Sequence, residues 1–345
     1  MLTQIVIKIA TLASLSFIFA LLFTPVLTKF LYKYKLGKQI RVDGTTPLFS
    51  HMHKEKAGTP TMGGILVWGT MLAAVFGLWL LGSVLHIKFF ENLNFYSRKE
   101  TLLPLGAFIG ASLVGLADDW LDIRQLGHKG RGIRFRFKIF LYAAVAAIGA
   151  WWFYFKLDFS LVHIPFVGNV DFGWWYIPFF ILAVVSTSFA VNETDGLDGL
   201  AGGTLLLAFF AFGTIAFSQG KYDLVAFLSV VCGGLMAFLW FNVYPARFIM
   251  GDTGSMGLGV LLAVVAFLTN SIFLMAIIGF VFMAETVCLL LQLFWKKFLH
   301  KKLFLSAPIH HHFQALGWPE TKVTMRFWII GAVSGIIGVI IYFIG

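Results

Sequence analysis

The 345-residue chain is 59% hydrophobic, has a mean hydropathy of +0.87, and draws only 12% of its residues from Asp, Glu, Lys and Arg. Soluble domains carry about twice that share of charge, so the composition excludes a soluble globular protein and indicates a polytopic membrane protein. The formal net charge of +10 would suggest nucleic acid in a soluble protein. In a membrane chain, basic residues are first a topology signal, and no nucleic-acid partner is expected.

A membrane-crossing helix needs about 20 apolar residues. Ten such runs lie at roughly 5–27, 61–85, 102–117, 137–155, 174–191, 202–218, 223–243, 256–270, 272–295 and 326–344. The first run is too long for the apolar core of a cleaved leader and lacks a charged n-region, so it reads as a retained span. Only Thr269-Asn270-Ser271 separates the eighth run from the ninth. Cys232 and Cys288 fall in different apolar runs and read as small buried residues, not as a disulfide or a metal site. The expected fold is all-α and polytopic, with about ten transmembrane helices forming one catalytic domain over residues 1–345.

Ten spans place alternate loops on alternate sides. The loops at 28–60, 118–136, 192–201, 244–255 and 296–325, with their span edges, hold 20 of the 26 Lys and Arg residues. That bias puts these loops in the cytoplasm and both termini outside. The stretch Phe159–Trp175, with Pro165 and Gly168, reads as a short excursion on the other side.

Every dense polar motif then falls on the cytoplasmic face. Lys56 and Gly58-Thr59-Pro60-Thr61-Met62-Gly63-Gly64 precede the second span, and Asp118-Asp119-Trp120-Leu121-Asp122 follows the third. Asn192-Glu193-Thr194-Asp195-Gly196-Leu197-Asp198-Gly199 follows the fifth. Asn242 and Met250-Gly251-Asp252-Thr253-Gly254-Ser255 link the seventh to the eighth. Pro308-Ile309-His310-His311-His312-Phe313 and Gly317-Trp318-Pro319-Glu320 precede the tenth. A transporter is expected to keep its key ionisable groups near mid-membrane, whereas these acids gather at one interface.

Carboxylates at the end of a span are costly to desolvate and need water, a cation or a function. Asp118 and Asp119 repel each other, which a divalent cation relieves. Helical neighbours diverge by about 100°, so one of the pair faces a site while the other caps or pairs. The bland alternative is a solvated helix end, and Asp122 reads as solvated or helix-pairing. Asp252, between glycines at a helix start, is either an N-cap or a Mg²⁺ ligand beside backbone N–H groups free for phosphate. Asp195 and Asp198, three residues apart, either cap the sixth span or share one face of a site. Five acids from three loops favour a shared site, and oxygen donors favour Mg²⁺ over zinc.

His310, His311 and His312 cannot all converge on one metal, so phosphate bonding, proton handling or a polar tether are their readings. Lys138 and the basic run 131–136 face anionic substrate or lipid, or serve topology alone. Glu285 lies within the ninth run and is either functional or a bundle hydrogen bond. The residues alone describe a membrane-embedded, Mg²⁺-dependent enzyme acting on a phosphate compound.

The motifs GTPTMGG (58–64), ADDW (117–120), TDGLDGLA (194–201), WFNVYPA (240–246), MGDTGS (250–255) and APIHHHF with GWPE (307–320) resemble the phospho-N-acetylmuramoyl-pentapeptide transferases. These form one branch of the polyprenyl-phosphate N-acetylhexosamine-1-phosphate transferase superfamily. The resemblance runs end to end, and the histidine and GWPE motifs are specific to the branch. It implies ten helices, a cytoplasmic-facing groove and a bacterial inner-membrane location. It implies transfer of phospho-MurNAc-pentapeptide from its UDP carrier to undecaprenyl phosphate, giving lipid I and UMP with Mg²⁺ as cofactor.

Carried over by motif, Asp252 is a Mg²⁺ ligand, and Asp118 and Asp119 are catalytic or orient substrate. Lys56, Asn192, Asp195, Asp198 and Asn242 line the nucleotide pocket, with Lys138 as a further substrate contact. His310, His311 and His312 contact phosphate or sugar. The implied partners are UDP-MurNAc-pentapeptide, undecaprenyl phosphate and membrane lipids, with a homodimer left open. Two positions depart from the family pattern: Glu193 replaces a usual Leu, and Ile249 replaces a usual aromatic, with Phe248 one place earlier. The nearest rival is a transferase using UDP-GlcNAc, and a lipid flippase is the rival from another class.

Overall fold

The architecture is that of a computed structural model describing residues 2–34, 36–37, 58–96, 100–127 and 132–345. Among the described residues, ten longer helices and a few short elements follow the apolar runs. They are α1 (Leu2–Lys33), α2 (Ile65–Leu78, continued by a π-helical turn Trp79–Val84), the short α3 (Lys88–Leu93), α4 (Leu102–Ile123) and α5 (Phe135–Trp151). An antiparallel hairpin follows, β1 (Leu161–Ile164) and β2 (Gly168–Asp171), in register Leu161 to Asp171. Then come α6 (Tyr176–Thr194), α7 (Leu200–Ser218), α8 (Tyr222–Asn242) and α9 (Asp252–Leu268). The chain closes with the short α10 (Met275–Ile278), α11 (Phe280–Phe298), α12 (Ile309–Ala315) and α13 (Glu320–Ile344).

Among the described residues, eight helices are long and apolar enough to cross a membrane, or nine if the bent pair 272–278 and 280–298 is one span. The expected ninth run is therefore broken: its two parts meet at 83°, at Gly279. The expected eighth run, α9, has 17 residues and reaches only about 25 Å. Every residue of α9 from Thr253 to Leu268 is buried. It is the core post of the bundle, packed chiefly between α4 and α6. The long helices around it turn Leu, Ile and Phe outward: Leu22, Phe30, Phe140, Ile148, Ile329 and Ile336 are all exposed. Such a belt is stable against lipid chains and not in water.

Several hydroxyl groups inside the bundle find local partners, as a medium without water favours. Thr70, Thr194, Thr204 and Thr269 each donate to the carbonyl four residues back. Ser16 Oγ donates to Val230 O at 2.6 Å and ties α1 to α8. Thr253 Oγ1 donates to Ser112 O at 2.9 Å and accepts from Trp68 Nε1 at 3.1 Å. One hydroxyl thus pins the start of α9 to α4 and α2. At the far end of α9, Asn270 Oδ1 accepts the His163 N–H at 3.0 Å and holds the hairpin there.

Candidate active site

The polar motifs meet at one end of the bundle because five chain segments are stitched together there. The 58–64 loop lies along residues 249–250: Gly63 and Gly64 N–H donate to Ile249 O and Met250 O at 2.8 and 2.9 Å, and Ile249 N–H donates to Pro60 O at 2.8 Å. This seating sets the start of α9, whose first residue is Asp252. Gly251, just before it, has φ +73°, and a Cβ there would sit 2.6 Å from Asp119 Oδ2. Only glycine allows both the left-handed turn and that approach.

Asp118 and Asp119 leave the end of α4 in different directions, as helical neighbours must. Asp118 Oδ1 accepts the Ile133 N–H at 2.6 Å, and its Oδ2 lies 2.7 Å from Lys138 Nζ. Lys138 Nζ, from the first turn of α5, also contacts Asp252 Oδ2. Asp252 Oδ1 accepts from Asn192 Nδ2 at 2.8 Å, and the same nitrogen donates to Ser255 Oγ at 2.9 Å. Residues from α4, α5, α6 and α9 thus converge on two carboxylates sharing one ammonium.

Asp119 has another task. Its two oxygens accept the Asp252 and Thr253 N–H groups at 3.1 and 3.0 Å. It caps α9 from a neighbouring helix, where the helix dipole favours a negative charge. The N–H groups expected to be free for phosphate are therefore occupied by Asp119. The physical reason is the docking of α4 against α9, which sequence spacing does not reveal. Asp119 thereby fixes the backbone on which Asp252 stands.

Asp195 Oδ2 accepts the Gly251 N–H at 3.2 Å and so joins the same turn. Asp198 and Asn242 belong to an adjoining network. Asp198 Oδ2 accepts the Ala246 N–H at 3.0 Å, while its own N–H donates to Glu320 Oε1 at 2.6 Å. Asn242 is buried, accepting the Gly199 N–H at 3.0 Å and donating to Phe248 O at 2.9 Å. It staples two loops with both ends of its amide. Asn242→Ala leaves a buried N–H and a buried carbonyl without partners, and is expected to cost about 2–4 kcal/mol. Thermal unfolding of the detergent-solubilised variant checks this; an unchanged Tm would show that the loops hold without the staple.

The three histidines separate on α12. His310 is fully buried, with Nδ1 3.0 Å from Glu285 Oε1. This contact gives Glu285 its partner inside the bundle. The His310 imidazole lies against Gly196, where any Cβ would collide with it. His311 stacks obliquely on His310, ring centres 4.1 Å apart, and its Nδ1 lies 2.9 Å from Gln314 Oε1. His312 turns away to accept the Leu305 N–H at 3.2 Å beside Phe304.

Glu193, the extra acid, is half-buried within electrostatic reach of His310, Glu285, Asp252 and Lys138. Phe248 is fully buried against Phe238 and Phe241, so it is not open to a ligand. Lys56 lies outside the described residues. Sequence reasoning did not single out Glu320 as a site residue; an acid opening the last helix was the available signal.

Among the described residues, no three His, Cys, Asp or Glu side chains form a metal-holding group. Yet Asp118 Oδ2 and Asp252 Oδ2 already aim at one cationic atom. Two anionic oxygens with the remaining positions left to water and phosphate suit Mg²⁺, which keeps much of its hydration shell.

A model described as Glycosyl transferase family 4 matches residues 101–270, and signature 1 of the phospho-N-acetylmuramoyl-pentapeptide-transferases matches residues 56–66. A phospho-N-acetylmuramoyl-pentapeptide-transferase of Chloroflexus aurantiacus is 39% identical over 351 residues, covering 98% of this chain and 90% of that one. Proteins of the same name from Geobacillus sp. and Anoxybacillus flavithermus are 36% and 34% identical, each covering 95% of this chain and at least 95% of the relative. With the acids of ADDW and MGDTGS brought to one lysine at the end of an all-α membrane bundle, the chain belongs to the phospho-N-acetylmuramoyl-pentapeptide-transferase family.

Proposed function

We propose that the chain transfers phospho-MurNAc-pentapeptide from UDP-MurNAc-pentapeptide to undecaprenyl phosphate, giving lipid I and UMP. It acts as a single domain in the bacterial inner membrane, as a monomer or a homodimer, with its polar end in the cytoplasm and both termini outside. The observation that carries the reading is the shared contact of Asp118 and Asp252 with Lys138, in a chain matched almost end to end by enzymes of that name.

In the reaction, an oxygen of the lipid phosphate attacks the β-phosphorus of the UDP-sugar. The bond from that phosphorus to the bridging oxygen breaks, and the electron pair leaves with UMP. Two anions must meet, so positive charge has to offset their repulsion and the charge on the leaving group. Lys138 supplies one such charge. The second ionisation of a phosphate monoester lies at about 6, so the nucleophile is largely dianionic at neutral pH and needs no strong base. Asp118 removes the residual proton or holds the attacking oxygen in line. Asn192 and Asp119 fix Asp252 from its side chain and its backbone. Asp252 and Asp118 would hold Mg²⁺, which when bound offsets phosphate charge. Asp195, Asp198, Asn242, His310 and His311 shape the rim for nucleotide and sugar, with His312 supporting the loop beside it. An aspartate nucleophile with a covalent phosphosugar is the competing route, and trapping a phospho-MurNAc adduct on the protein would replace direct displacement.

The test is labelled UDP-MurNAc-pentapeptide with undecaprenyl phosphate in detergent, scored for lipid-extractable product. EDTA is expected to stop product formation and added Mg²⁺ to restore it; indifference to chelation would contradict the metal assignment. Release of UMP from UDP-GlcNAc instead would move the chain to the neighbouring branch. Substrate movement without UMP release would make it a flippase.

A further inference from the structure

The two carboxylates at the site are held in the same way. Asp118 Oδ1 is anchored by the Ile133 N–H at 2.6 Å, and Asp252 Oδ1 by Asn192 Nδ2 at 2.8 Å. Both anchors are neutral donors. The second oxygen of each acid is directed at Lys138 Nζ. Removing the ammonium would therefore leave both Oδ2 atoms aimed at the same point, still fixed by their other halves. Among the described residues, Lys138 Nζ is held by these two contacts; it stands on the first turn of α5, largely buried, at the end of a four-carbon stem with several rotatable bonds.

We propose that Lys138 is a tethered counter-cation, holding the divalent ion's place between Asp118 and Asp252 until the metal arrives, and then swinging out to the anionic substrate. The inference rests on the phosphoryl-transfer reading above. An ammonium and a divalent ion cannot share one point between two carboxylates, and their mutual repulsion drives the lysine away. Without the ion, the ammonium offsets the negative charge of the two neighbouring carboxylates. With the ion bound, a positive charge is released beside the site. A pyrophosphate is its natural partner there. Metal loading and substrate capture are thereby linked through one side chain.

The test uses the full chain in detergent without either substrate. Binding of Mn²⁺, followed by electron paramagnetic resonance, is compared between the wild type and Lys138→Gln. The variant is expected to bind about tenfold more tightly, because the competing cation is gone. A nearby but immobile lysine would also weaken metal binding, so a second measurement is needed. The acylation rate of Lys138, read by mass spectrometry, is expected to rise about fivefold when Mg²⁺ is added, as a buried ion-paired amine becomes exposed. An unchanged or reduced rate at saturating metal would overturn the exchange while leaving the metal assignment intact. Failure of both proteins to bind Mn²⁺ would overturn the metal assignment and the exchange together.

Discussion

Replacing Asp252 with Asn is expected to cut lipid-linked product at least about 10³-fold, the scale seen when one charge-stabilising group is lost from an active site. The carboxamide has nearly the same shape. Its oxygen can still accept from Asn192 Nδ2, so the turn at Gly251 and the seating of α9 should survive. What disappears is the negative charge facing Lys138. The same loss removes an anionic oxygen from the proposed cation site. A small drop in Tm with a near-complete loss of turnover is therefore the expected pair of results. Near-normal turnover would take Asp252 off the list of catalytic groups. Asp118→Asn should behave similarly, because its Oδ2 is the other contact of the same ammonium and the Ile133 N–H can still be accepted by the amide oxygen.

Asp119→Ala should act in the opposite proportion. The side chain is buried and both its oxygens are used by backbone N–H groups at the start of α9. Truncation leaves two donors without acceptors in a low-dielectric interior, and removes a charge that the helix N-terminus favours. The expected destabilisation is about 2–5 kcal/mol, read as a lowered Tm in detergent. Turnover of the folded fraction should fall as well, since the cap sets the position of Asp252. Asp119→Asn keeps one acceptor and should recover about half of the lost stability. If Asp119→Ala kept its Tm but lost all turnover, Asp119 would be a group that touches substrate, and its capping role would be incidental. The contrast with Asp252→Asn separates positioning from chemistry in two adjacent motifs.

Much of this molecule was legible in the order of its residues. Apolar length alone marks the spans, because a helix that must satisfy its backbone without water needs a long unbroken run. Lysine and arginine placement gathers the polar loops to one side, and the hydrogen bonds between the 58–64 loop, α4, α6 and α9 place those loops together. The divergence of Asp118 from Asp119 and of His312 from His310 follows from the helical repeat.

Other features depend on which helices touch. Sequence cannot show that α9 is a short buried post, since its composition matches that of a span. The right-angled break at Gly279 sits inside an apolar run that reads as continuous. The fate of the α9 N–H groups, of Asn242 and of Phe248 was set by neighbours from distant parts of the chain: Asp119 reaches α9 across 133 positions, and Glu320 reaches Asp198 across 122. Residue type determined which chemistry the polar end of this protein can hold, because carboxylate, amide and ammonium are fixed by the chain. Tertiary packing decided which acid faces the ammonium and which is consumed as a cap, because a buried donor takes the nearest acceptor and leaves the other for function.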